Sequence, residues 1–155
     1  MNLTEIISPE NVVCSTRANN KEQLLRDLAA HAAASLNLDP KVIFDALQAR
    51  ERLGSTGLGK GFALPHASIE GLDRFFAVFM RLKRPLDFEA IDNLPVDLVF
   101  LLLIPAAAGD DRLAPLAAIS RKLRDQEVAA RLRKASNSTE ICNLLCGAQQ
   151  SVRAL

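Results

Sequence analysis

The sequence carries almost no net charge: 19 Lys and Arg against 18 Asp and Glu leave +1 over 155 residues. Without a field of one sign, nothing draws the chain as a whole toward nucleic acid or an anionic membrane. Tryptophan and tyrosine are absent. The Lys and Arg residues that thicken from Arg121 to Lys134 have no aromatics interleaved among them, so they read as a solvated helix face and not as a nucleic-acid platform. Cysteine is scarce and odd in number. Cys14, Cys142 and Cys146 lack metal-type spacing, and no histidine neighbours the latter two, so ordinary buried thiols are expected and no zinc site. The longest apolar run, Val96 to Ile104, is interrupted by Asp97 and is too short to cross a bilayer, so no direct membrane insertion is expected. Met1 to Glu10 has an acidic residue and no basic stretch, unlike a secretory signal, which points to a cytoplasmic protein.

What is present is an ordinary globular balance, 49% hydrophobic and 24% charged, in a length that suits one domain with its own core. Val12 and Val13 begin a short strand. Asn19 or Asn20 can cap a helix to about Leu36, with Leu24, Leu25, Leu28, Ala32 and Leu36 on one side. Asp39-Pro40 starts a second helix, running to about Leu53. The glycine-rich stretch Gly54 to Gly61 excludes a long regular element there. Phe75 to Leu82 and Val96 to Ile104 read as strands, the second so apolar that both faces must be covered. Pro85 to Pro95 has turn chemistry. Helical patterns follow over about Asp111 to Arg124, Gln126 to Lys134 and Ser138 to Leu145, the last with Ser138 at its start. The expected architecture is an α/β domain with a β-sheet sandwiched between helical layers, spanning 1–150 with a C-terminal tail 151–155.

Two arginines stand where apolar stripes predict hydrophobic residues. Advancing about 100° per residue, Arg50 falls inside the arc of Val42, Ile43, Ala46, Leu47 and Leu53. It reads as a buried ion pair, as a helix-end side chain reaching for water, or as a donor set for an anion beside the glycine-rich segment. Arg112 shares a stripe with Leu116, Ile119 and Leu123. Alternatively Pro115 is the first helical residue and leaves Arg112 in a loop, neutralised by Asp110 or Asp111. The glycine-rich stretch lacks the ending of a Walker A loop, yet Ser55, Thr56 and free backbone N–H groups can form an anion-binding nest. Phe62-Ala63-Leu64-Pro65 looks like a short strand ending at Pro65, placing His66 at a strand terminus or in a loop. His31, at the margin of the first helix's stripe, reads as structural.

Together these segments resemble the IIA domains of the sugar phosphotransferase system, in the fructose/mannitol class and nearest the nitrogen-related regulators. The resemblance is carried by Arg50-Glu51-Arg52-Leu53-Gly54-Ser55-Thr56-Gly57-Leu58-Gly59 and Ala63-Leu64-Pro65-His66. It continues through Pro85-Leu86-Asp87-Phe88 and Pro95 to Leu101, and covers nearly the whole chain. It implies a mixed sheet between helices, and His66 as acceptor, through Nε2, of a phosphoryl group from a histidine phosphocarrier protein. Arg50 matches the family's active-site arginine, and Ser55 and Thr56 its phosphate-proximal hydroxyls. No metal or cofactor is implied. Four positions depart from the pattern. Ala67 and Ser68 stand where Gly and a basic residue are frequent, Lys60 where Asn is common, and Arg112 where a second active-site histidine is usual. A guanidinium cannot accept a hydrogen bond from the His66 ring but can grip phosphate.

The resemblance therefore implies a phosphohistidine carrier with regulatory output, binding targets such as potassium transporters or sensor kinases according to its phosphorylation state. The absence of a fused IIB or membrane IIC segment favours the regulatory form. The alternatives are a binding module that has lost phosphotransfer, and a small-anion sensor held by Arg50, Arg112 and His66.

Overall fold

The computed structural model describes residues 2–147; the tail expected at 151–155 lies outside the described residues. Its centre is an antiparallel pair, β5 (Phe76–Leu86) and β6 (Val96–Pro105), joined through the turn-rich segment between them. β1 (Val12–Thr16) lies parallel to β5 on one side. On the other side β3 (Phe62–Ala63) and β4 (His66–Ile69) pair in succession with β6, both parallel to it, and β2 (Gly57–Gly59) closes the edge antiparallel to β3. The sheet is six-stranded and mixed.

β6 shows why the chain folds in layers. Leu98 to Ile104 are all buried, and their side chains alternate between two separate cores. Val99, Leu101 and Leu103 meet α1 (Lys21–Leu36) and α2 (Pro40–Arg52). Leu98, Phe100, Leu102 and Ile104 meet α3 (Leu113–Arg124), α4 (Gln126–Lys134) and α5 (Ser138–Cys146), with the N-terminal segment Leu3 to Ile7 alongside. A strand covered on both faces must be apolar throughout, as the run predicts. Each fully buried Leu or Phe there contributes about 1.5–3 kcal/mol relative to exposure.

Helix starts follow their caps. Asn20 accepts from the Gln23 amide at 2.8 Å, Asp39 precedes Pro40, and Asp125 accepts from the amides of Glu127 and Val128. α5 differs in detail from the expectation. Asn137 is its cap, accepting from the Glu140 amide, while the Ser138 hydroxyl donates to Val12 O of β1 at 2.9 Å. β5 runs four residues past the expected end. Between Arg81 and Leu86 it leaves register with β6, so Pro85 sits where no ladder donor is needed. Arg81 closes the opposite layer, its guanidinium donating to Cys14 O at 2.8 Å, Leu132 O at 2.9 Å and Ala135 O at 2.8 Å. It thereby satisfies carbonyls that the end of α4 leaves open.

Candidate functional site

His66 stands on the sheet's edge, opposite Leu102 of β6. The strand expected to end at Pro65 is instead interrupted there and resumes at His66 as β4. Proline has no N–H to give a ladder, and the two residues at the break find other partners. The Leu64 amide donates to Thr56 O at 2.9 Å, and Pro65 O accepts from the Leu102 amide at 3.0 Å. Alternation along β4 buries Ala67 and Ile69 against the α1–α2 core and leaves His66 half-buried with Ser68 exposed.

The ring is oriented by its own backbone. Nδ1 lies 2.8 Å from Leu64 O. A carbonyl only accepts, so Nδ1 carries the proton, and Nε2 presents its lone pair whenever the ring is neutral. Neutrality is favoured. The pKa of His66 is held below its ordinary 6.5, chiefly by burial; the Leu64 bond opposes this, Arg50 lowers it further, Glu51 raises it, and Arg112 lowers it.

Arg50 lies one turn beyond Leu47, near the C-terminal end of α2, half-buried, with its guanidinium on Gly54 O at 2.9 Å. The buried face of α2 is Ile43, Phe44 and Leu47. Val42, expected on that face, is 54% exposed because the buried face is turned toward Phe44, and Leu53, 84% exposed, lies past the last helical residue, Arg52. Arg112 is exposed and sits outside the apolar stripe, at the end of a tight helical segment, Ala106–Arg112, immediately before α3. Among the described residues it forms no ion pair with Asp110 or Asp111, so the expected neutralisation does not occur. The charges of Arg50 and Arg112 both reach the His66 ring, one from each helical layer.

The nest residues are already engaged. Ser55 Oγ accepts from the Gly57 amide at 3.0 Å and donates to Phe88 O at 3.4 Å. Thr56 is 2% exposed; its amide donates to Glu51 Oε1 at 3.1 Å and its hydroxyl to Glu51 Oε2. Lys21 completes this group, with Nζ 2.9 Å from Glu51 Oε1 and 4.5 Å from the centre of the Phe88 ring. Glu51 and Lys21 drew no attention as site residues in the sequence. A helical period would have shown Glu51, four after Leu47, on the inward side of α2.

Among the described residues the arrangement is an imidazole with no hydrogen-bond partner at Nε2, under the charge of two arginines that lower its pKa, and with no group of three metal-ligating side chains. Comparison with known proteins assigns its family. The model of the phosphoenolpyruvate-dependent sugar phosphotransferase system EIIA 2 family matches residues 5–147. The chain belongs to this family. It is 43% identical over 145 residues to the nitrogen regulatory protein of Bradyrhizobium diazoefficiens, covering 94% of this chain and 95% of that one. It is 36% identical over 146 residues to that of Escherichia coli, covering 94% and 90%. The crystal structure of nitrogen regulatory protein IIA-Ntr from Neisseria meningitidis superposes with a TM-score of 0.88 at 31% identity, over 92% of this chain and 98% of that one.

The departures from the EIIA 2 pattern acquire physical meaning in this fold. Lys60 is the first residue of the turn between β2 and β3 and has φ +57°, with Gly61 after it at +90°. A two-residue hairpin with both φ positive favours Asn-Gly, which explains why Asn suits this position. Ala67 points its methyl into the α1–α2 core. No helix among the described residues is long and apolar enough to cross a membrane.

Proposed function

We propose that this chain is a phosphohistidine carrier of a nitrogen-related phosphotransferase system, working in the cytoplasm with regulatory output. The observation that carries the reading is the His66 ring, with Nδ1–H against Leu64 O, a pKa held low chiefly by burial, and no hydrogen-bond partner at Nε2 among the described residues. A neutral imidazole is nucleophilic near pH 7, and its phosphoramidate stays reactive enough to pass the group on.

In the proposed step, Nε2 of His66 attacks the phosphorus of a phosphohistidine on a small phosphocarrier protein. The new N–P bond forms as the donor's N–P bond breaks, and the donor nitrogen keeps that electron pair. Such a transfer asks for alignment and for cations on the equatorial oxygens. Arg50 supplies one by leaving Gly54 O, and Arg112 a second from the α3 side. Ser55 can turn its hydroxyl from the long bond to Phe88 O. Thr56, whose donors are held by Glu51, positions the nest from beneath. Targets such as potassium transporters or sensor kinases would read the charge change at His66, which is partly exposed.

The test is incubation with phosphoenolpyruvate, the first enzyme of the system and its phosphocarrier, followed by intact mass measurement. An acid-labile, base-stable gain of one phosphate that is lost in His66→Gln is expected. No gain in the wild-type protein would favour a binding module that has lost phosphotransfer; a gain persisting in His66→Gln would reject the site. Arg112→His should alter the rate of transfer, and an unchanged rate would make that position unimportant.

A further inference from the structure

We propose that Glu51 is a positioning residue for phosphoryl transfer, setting the orientation of the His66 ring through Thr56 and Leu64. This rests on the carrier reading of His66. Four residue-to-residue links run unbroken from one helical layer to the nucleophile. Lys21 Nζ, at the start of α1, holds Glu51 Oε1 at 2.9 Å. Glu51 takes both donors of Thr56, the amide on Oε1 at 3.1 Å and the hydroxyl on Oε2. The Thr56 carbonyl, its position thus set from the other side, accepts the Leu64 amide at 2.9 Å. The Leu64 carbonyl then accepts Nδ1–H of His66 at 2.8 Å.

Each link is short in sequence or locked by burial. The Glu51 and Lys21 side chains are 6% and 16% exposed, and Thr56 and Leu64 are buried. A carboxylate with three charge-assisted or backbone donors is a rigid anchor, stronger than a neutral acceptor at the same place. The break at Pro65 makes the anchor necessary. Leu64 lies outside both β3 and β4, so its peptide is not held by the sheet ladder. On the amide side it is held by Thr56, itself held by Glu51, and the following carbonyl, of Pro65, is held by the Leu102 amide. Glu51 also follows Arg50 directly in α2, and the Arg50 guanidinium donates to Gly54 O at 2.9 Å. The negative charge of Glu51 opposes the effect of Arg50 and Arg112 on the ring.

Two variants test the relay. Glu51→Gln keeps the size and one acceptor but removes the charge; Thr56→Val removes the hydroxyl without touching any charge. Two measurements are made on each, the rate of phosphoryl acceptance from the phosphocarrier and the ring tautomer by 15N NMR. Acceptance should fall on the order of ten- to a hundredfold in Glu51→Gln, as misalignment of about an ångström does. Its tautomer should shift away from Nδ1–H, with the phosphorylation endpoint still reached. Thr56→Val should lose in the same direction, and the double variant should be no worse than the poorer single one. Wild-type rate and tautomer in Glu51→Gln would overturn the proposal, as would fully additive losses. If the wild-type protein accepts no phosphate, the carrier reading fails, and the tautomer in the two variants still decides the relay by itself. Should Glu51→Gln not fold, Thr56→Val carries the same two readouts.

Discussion

Gly61→Ala perturbs the hairpin turn between β2 and β3 at a point where three parts of the molecule meet. Gly61 has φ +90°, so any side chain there is strained, at a cost of about 1–2 kcal/mol. A Cβ would also overlap Nη2 of Arg133 and stand 3.1 Å from Asp97 Oδ1. Arg133 is the flexible partner and would swing away, losing its paired bonds to Asp97 at 2.9 and 2.9 Å and its bond to Lys60 O at 3.2 Å. That ion pair is 37% and 21% exposed, so solvent discounts it to about 1 kcal/mol. The sum is about 2–3 kcal/mol, or a fall of about 5–10 °C in Tm for a chain of this size. Thermal and urea unfolding by circular dichroism measures it. The clash term should vanish once Arg133 is truncated, so in an Arg133→Ala background Gly61→Ala should cost about 1 kcal/mol less. An equal cost in both backgrounds would refute the clash, and a cost near zero in the wild type would refute the strain as well.

Lys60→Asn acts on the same turn with the opposite sign. Asn tolerates the left-handed conformation, and the backbone bonds of Lys60 to Asp92 and Arg133 remain, so a gain of about 0.5–1 kcal/mol in urea unfolding is expected. His66 should titrate below 6.5 in an NMR pH series, chiefly because of burial. Its folded pKa lies below the unfolded one, so this group costs no stability above about pH 6.5. As the pH falls from there toward the folded pKa, the unfolded chain binds the proton first and stability is lost. His66→Gln should remove that acid-side loss, and identical pH profiles for variant and wild type would contradict the buried neutral ring.

Much of the architecture is local in origin and so was readable from residue order. The caps Asn20 and Asp39 and the apolar run of β6 act through neighbours a few positions away, or through a burial requirement that the run itself announces. Sequence also decided the family, through the Arg50 to Gly59 block and the Leu64-Pro65-His66 segment, whose match extends over residues 5–147. Long-range pairing was another matter. No periodicity could show that β3 and β4 are two pieces of one edge along β6, since that depends on which strand lies beside them. Which face of α2 is buried, leaving Val42 outside, was likewise decided by packing against β4 and α1, not by its own stripe. At the site, sequence named His66, Arg50, Arg112, Ser55 and Thr56 but not how they are held. Tertiary structure brought the charges of both arginines to bear on one ring. It also joined Lys21, Glu51, Thr56 and Leu64 behind that ring, because hydrogen bonds between residues 5 to 30 positions apart exist only once the sheet and its helices have brought them together.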